Sequence, residues 1–273
     1  MTSPTTVVAI VSGIGFVLLC LATTIWNLVW RREPYLSPKD LLNTNNDLKH
    51  INLKVVRKIS AAARQGIKDA FWKSPDFLWM IKGSEAFTDD DIPALKDLMT
   101  YLIEYVMCMG ETYGHIIKSM DDDGNFQGCM ILIPPTPAFR QKLQSIPPIL
   151  HTGKPPSSIW NHPGRKARLN AFGQVDHHHH ETMKDCMDSH WYLLTLAVAP
   201  SAQGKKVGSR LLQQAFHLAG NLPIFLECHG GNVGYYEKHG FNLQKKYAFE
   251  PGEPYADPPF FFNCMRRDPI IES

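Results

Sequence analysis

The 273 residues carry 28 Lys and Arg against 26 Asp and Glu, a formal net charge of +2, with charged side chains at 20% of the chain. That near balance excludes a nucleic-acid surface built on a basic field, and the length suffices for one domain with a full core plus attachments. The six cysteines, Cys20, Cys108, Cys129, Cys186, Cys228 and Cys264, are widely spaced with no CxxC pair. They read as reduced, mostly buried thiols of a cytosolic domain.

Val7 to Trp30 contains no charged residue. As a helix it would be about 36 Å long, enough to span a bilayer with some tilt. Trp26 and Trp30 suit an interfacial belt, Arg31 and Arg32 follow at once, and no Lys or Arg precedes the run. The positive-inside rule then places the carboxyl side in the cytosol. A cleaved signal peptide would want a positive start and a shorter core, and a buried helix is the other alternative. The reading is an N-terminal transmembrane anchor over 1–32, a linker over 33–50 marked by Pro34 and Pro38, and a folded domain over 51–273.

Within that domain, 52–59 is predicted as a first strand and 61–72 as a helix broken by Ser74-Pro75-Asp76. Residues 77–81 and 92–109 are also predicted helical, the latter led by Asp89-Asp90-Asp91 with Pro93 in its first turn. A hairpin is predicted over 113–120 and 126–133. Its turn, Asp121 to Asn125, is acidic but lacks the spacing of a calcium loop. A Pro- and His-rich insertion then fills about 134–189, with a helix around Arg165–Phe172. It ends near His177-His178-His179-His180-Glu181. On a helix His177, His180 and Glu181 would share a face, a ligand-like spacing. Nothing nearby completes a metal site, so the run reads as a solvated loop and no metal is assigned.

Trp191 to Ala199 is an almost unbroken apolar run, as expected for a strand buried on both faces, and Pro200 stops it. A loop with Gln203, Gly204 and Gly208 leads into a helix with Val207, Leu211, Ala215, Leu218 and Ala219 on one face. First-turn amides of such a helix have no intrahelical partner and point along the positive end of its dipole, a ready anion site. The same strand-turn-helix is equally compatible with binding nothing. It has neither the P-loop spacing nor the GxGxxG fingerprint.

Leu196 to Pro200 followed by Gln203-Gly-Lys-Lys-Val-Gly208 resembles the acyl-CoA loop of the GNAT superfamily of N-acyltransferases, [R/Q]-x-x-G-x-[G/A]. Gln203 and Gly208 match, and Lys206 replaces the middle glycine. A second stretch, Asn232-Val-Gly-Tyr-Tyr-Glu-Lys-His-Gly-Phe241, is similar to the family's "N…(F/Y)YEKxGF" signature and follows a predicted strand over 222–228. Strands over 242–250 and 260–266 close the chain. The resemblance implies an α/β fold, a mixed, twisted GNAT-like sheet with helices on both faces, in the order β-α-α-β-β-insertion-β-α-β-α-β-β.

It also implies a reaction: transfer of an acetyl group from acetyl-CoA, as co-substrate, to a primary amine by direct attack in a ternary complex. Backbone groups at Leu196 and Val198 would pair with the pantetheine arm, the Val198 amide would polarise the thioester carbonyl, and the loop Gln203, Gly204, Lys205, Lys206, Val207, Gly208 and Ser209 would take the pyrophosphate. Asn232 opens the second motif. Tyr236 takes the family's general-acid position and Glu227 is the base, with His190 and His229 in reserve; Cys228 lacks an assignable activating pattern. The partners implied are acetyl-CoA, an amine acceptor that is a small molecule or a protein, and the membrane, with no nucleic acid. Rival readings are a longer acyl donor, a non-catalytic acyl-CoA-binding module and a membrane scaffold.

Overall fold

The computed structural model describes residues 53–137, 145–186, 188–255 and 257–269. The predicted membrane anchor and linker lie outside them. Among the described residues no helix is long and apolar enough to cross a membrane.

Alternation of apolar residues builds a seven-stranded sheet: β1 (Leu53–Val56), β2 (His115–Met120), β3 (Phe126–Ile133), β4 (Trp191–Val198), β5 (Ile224–His229), β6 (Asn242–Phe249) and β7 (Phe260–Arg267), in the order β1-β2-β3-β4-β5-β7-β6. All neighbours pair antiparallel except β4 and β5, which run parallel. Between β1 and β2 stand three helices, matching the three predicted segments though one more than the family-like order counts: α1 (Ala61–Ala70), α2 (Pro75–Lys82) and α3 (Ile92–Tyr113). Ser60 caps α1 by accepting from Ala63 N–H at 3.3 Å. A capping box of Thr88 and Asp91 starts the turn that runs into α3.

The predicted insertion is more regular than its prolines suggest. It folds as α4 (Ile146–Thr152), α5 (Ser157–Trp160), α6 (Pro163–Phe172) and α7 (Val175–Thr182). The histidine run is therefore helical, a correction to the loop expected from sequence. Two arginines fasten α6. Arg168, 5% exposed, donates to the carbonyls of Met80 (3.2 Å) and Ile81 (2.9 Å) at the end of α2, and to Asp257 at 2.6 Å. Arg165 donates to Asp91 at 3.1 Å. These bonds satisfy helix-end carbonyls that would otherwise lack partners, and so hold the insertion against α2 and α3.

One face of the sheet packs on α1, α2 and α3 through Ile67, Met80, Leu98 and Ile131. The other packs on α8 (Val207–Ala219) and α9 (Val233–Glu237) through Leu211, Leu212, Ala215 and Phe241. Gly128 on β3 makes the second contact close: a Cβ there would stand 2.9 Å from both Ala197 O and Val207 Cγ1. The start of α8 thus sits directly on the sheet, beside the end of β4.

Candidate active site

β4 and β5 pair only at Trp191↔Ile224 and Tyr192↔Phe225 and then part, while β5 stays paired with β7 along its length. The two strands open a cleft in the sheet. Ala199 N–H donates to Gln127 O on the β3 side at 2.9 Å. Successive residues of an extended strand aim their amides at opposite edges, so the amides of Val198 and Leu196 face the cleft. β4 carries a register shift nearer its start, between the pairs Ile131↔Thr195 and Leu132↔Leu193.

At the mouth of the cleft lies the loop into α8. Its first α-helical bond is Arg210 N–H to Lys206 O, so the amides of Val207, Gly208 and Ser209 precede the helical ladder. Lys206 has φ 60° and ψ 16°, and Gly204 has φ 75°. Lysine therefore holds the left-handed conformation that a glycine takes without strain. A Cβ at Gly208 would lie 2.6 Å from the Tyr235 hydroxyl. Ser209 Oγ is 3.0 Å from His239 Nε2, whose Nδ1 is 2.8 Å from Tyr235 O, tying the loop to α9.

Gln203, Gly204, Lys206, Val207, Gly208, Ser209, Leu196, Val198, Asn232, Tyr236 and Glu227 all line one cavity of about 1370 Å³. Lys205 is the exception among the predicted residues. It is exposed and off the cavity wall, and its carbonyl accepts from Arg210 Nη2 at 3.3 Å. The Tyr236 ring is 8% exposed and packs edge-on to Phe241 and Tyr235. Burial raises its phenol pKa, so the hydroxyl holds its proton throughout the neutral range. Ile224, Leu226 and Cys228 pack under α8, so Glu227 points to the opposite face of β5. Its Oε1 is buried with no hydrogen-bond partner. Burial lifts its pKa to about 8, against the lowering effect of a hydrogen bond donated by the Tyr192 hydroxyl.

Residues 166–243 match the family model described as an acetyltransferase (GNAT) domain. The match supports the GNAT superfamily. It begins in α6 and ends in β6, spanning the cleft, the loop and α9. The chain is 26% identical over 208 residues to the "uncharacterized N-acetyltransferase C550.08" of Schizosaccharomyces pombe, covering 72% of this chain and 74% of that protein. A structure described as histone acetyltransferase HPA2 and related acetyltransferase from Corynebacterium glutamicum is 22% identical with a TM-score of 0.46, covering 82% of this chain and 98% of that one. Chaetomium thermophilum Naa20 in complex with a bisubstrate analogue is 12% identical with a TM-score of 0.39, covering 80% and 86%.

Several cavity residues escaped the sequence reading. Tyr192 is one: apolar strand content hid a hydroxyl that reaches Glu227. Asp176 at the start of α7 is another, its pKa raised by the surrounding protein and its charge felt by Glu227, Tyr192 and Tyr105. Asp76 in the first turn of α2 also lines the cavity, accepting from Ser74 Oγ at 2.6 Å. The histidines turn to separate tasks. His178 stacks on Tyr247 at 3.8 Å, His179 Nε2 meets His190 Nε2 at 2.7 Å, and His180 Nδ1 meets Asp176 O at 2.6 Å. Glu181 accepts from Lys245 at 2.7 Å and from the Tyr247 hydroxyl at 3.1 Å, which fastens α7 to β6. His190 Nδ1 also bonds Cys186 O at 3.1 Å, so both its ring nitrogens are engaged. His229 Nδ1 accepts from Gly231 N–H at 3.2 Å, a local cap.

Proposed function

We propose that this chain is an N-acetyltransferase that moves an acetyl group from acetyl-CoA to a primary amine by direct attack in a ternary complex. The observation that carries the reading is the parting of β4 and β5 after a single pair of contacts, which sets an open strand edge, a helix start and two proton-handling side chains around one cleft. Each part has a physical use. Cleft-facing backbone at Leu196 and Val198 offers strand-like bonds to the amide-bearing arm of acetyl-CoA. The amides of Val207, Gly208 and Ser209 and the α8 dipole suit its phosphates. The Val198 amide would meet negative charge developing on the thioester oxygen.

The acceptor ammonium must lose a proton before its nitrogen can attack, and Glu227 takes it. The C–N bond then forms as the C–S bond breaks. Tyr236 gives a proton to the departing sulfur, and the second proton that the nitrogen loses passes through solvent to restore the Tyr236 hydroxyl. A phenol held protonated by burial and a carboxyl poised near pH 8 suit these two tasks. Titration of acetyl-CoA into the full chain, followed by thiol release on adding amines, tests the reading. Micromolar binding with amine-dependent release supports it. Binding without release for any amine leaves an acyl-CoA-binding module of the same fold, and no binding sinks both.

For Val7 to Trp30 the proposal is a single membrane span with the domain in the cytosol, supported by its uncharged length and the Arg31-Arg32 flank. Protease treatment of sealed membranes should digest the domain from the cytosolic side only; release of the chain by alkaline carbonate would overturn the span.

A further inference from the structure

The acceptor end of the cavity has a charge pattern that the sequence does not show. Three carboxylates from distant segments line it: Asp76 of α2, Asp176 of α7 and Glu227 of β5. Among the described residues the only Lys or Arg on the cavity wall is Lys206, at the loop end. Asp76 is occupied by Ser74 and lies in the field of His229. The other two keep acceptor capacity: Asp176 is exposed, in the field of His180, and Glu227 accepts from the Tyr192 hydroxyl at one oxygen only. Asp176 makes no side-chain hydrogen bond or salt bridge among the described residues, although it opens into the cavity, and Glu227 Oε1 is buried without a partner. These two carboxylates also repel each other. A buried acceptor without a partner is costly, and a cation held between Glu227 and the more exposed Asp176 relieves that cost and screens their repulsion.

The rest of the wall is unlike a polyamine channel. Tyr101, Tyr105, Val106, Leu169 and Phe172 present ring and aliphatic surface, with no further carboxylate spaced along them. Such a wall rewards burial of an apolar body, and tyrosine faces add attraction to a cation nearby.

We propose that the acceptor is a hydrophobic primary amine, its ammonium taken by the carboxylates of Asp176 and Glu227 and its apolar body lying along the aromatic wall. This rests on the acetyltransferase reading and adds a substrate class and a binding role for Asp176. A single positive charge on an apolar body fits, whereas a chain of several charges would leave its remote ammonium groups against tyrosine, valine and leucine.

Calorimetric titration of 2-phenylethylamine, 2-phenylethanol and spermidine into the full chain, alone and with saturating coenzyme A, tests the inference. The amine should bind at least tenfold more tightly than the isosteric alcohol and than spermidine. Asp176→Asn should erase the preference for ammonium over alcohol, and Asp176→Glu should restore most of it. Equal affinity for amine and alcohol, tighter binding of spermidine, or an intact preference in Asp176→Asn would each overturn it. The amine–alcohol comparison uses the unaltered protein, so it decides even where a variant folds poorly. Acetyl-CoA binding is scored separately: its absence sinks the acetyltransferase reading, while a missing ammonium preference sinks only the acceptor assignment.

Discussion

The two ends of the cavity are built by different means. The end between β4, α8 and α9 is made largely of backbone: amides aimed by strand alternation and by the start of a helix, drawn from residues 191–239. The opposite end is made of side chains, contributed by α2, α3, α6, α7 and β5 and brought together by ion pairs such as Arg168–Asp257 and Lys245–Glu181. A backbone-built site tolerates side-chain change so long as φ and ψ survive, which is why Lys206 can stand in the left-handed region where the related motif has glycine. A side-chain-built site has no such tolerance, and each member depends on the packing behind it.

The sharpest way to test that contrast is Tyr236→Phe. On the proposed mechanism, removing its hydroxyl should lower kcat by about 10²–10⁴-fold while acetyl-CoA affinity stays within about twofold, since the loop amides are untouched. Arg168→Ala aims at the other end. It strands Asp257 and two carbonyls of α2, so chemical denaturation should show a loss of about 3–5 kcal/mol. The amine KM should rise while acetyl-CoA affinity holds; a matching loss of acetyl-CoA affinity would mean the two ends are not independent.

Glu227 offers a third test through pH. With a pKa near 8, its base form grows as pH rises, so kcat/KM should climb to about pH 8 and level off, and Glu227→Gln should flatten that limb. The same group weighs on stability. Below its ordinary value of 4.5 the carboxyl is neutral in both folded and unfolded chains. Between 4.5 and about 8 the unfolded chain sheds a proton that the folded one retains, so stability falls as pH rises, and above about 8 the loss is complete. Glu227→Gln should therefore stabilise the protein at pH 8 relative to pH 4.5, by on the order of 2 kcal/mol after screening by cavity water. The smallest effect belongs to Lys206→Gly. Relief of a positive φ should raise stability by at most about 1 kcal/mol, and acetyl-CoA affinity should change less than threefold. A tenfold gain in affinity would show that the lysine side chain obstructs the loop.

Legibility in the sequence followed the same division. The apolar run of β4, Pro200, the glycines and the Tyr-Tyr-Glu pattern of α9 lie in one contiguous stretch, where chain order and periodicity carry most of the information. That Tyr236 and Glu227 line the cavity was readable because a motif and a strand register place them. Asp176 looked like the edge of a histidine tract, and Asp76 like a helix breaker, because what gives each its meaning is a neighbour roughly fifty to a hundred and fifty residues away: Glu227 for Asp176, His229 for Asp76. The helix under the histidines was unreadable for a related reason. It is held by tertiary bonds, Glu181 to Lys245 and His178 on Tyr247, rather than by intrinsic preference for helix.

The brief meeting of β4 and β5 has a mechanical consequence. β5 stays laced to β7, and β7 to β6, so these three strands form one arm, and β1 to β4 form the other. The joint is the pair of contacts at Trp191–Tyr192 and Ile224–Phe225. From there to His229 the free arm extends about 13 Å, so a tilt of about 5° at the joint moves its tip by about 1 Å. Phe225, fully buried and stacked on His179, acts as the shim in that hinge. Its thickness sets how far β4 and β5 stand apart beyond the joint, from a position off the cavity wall.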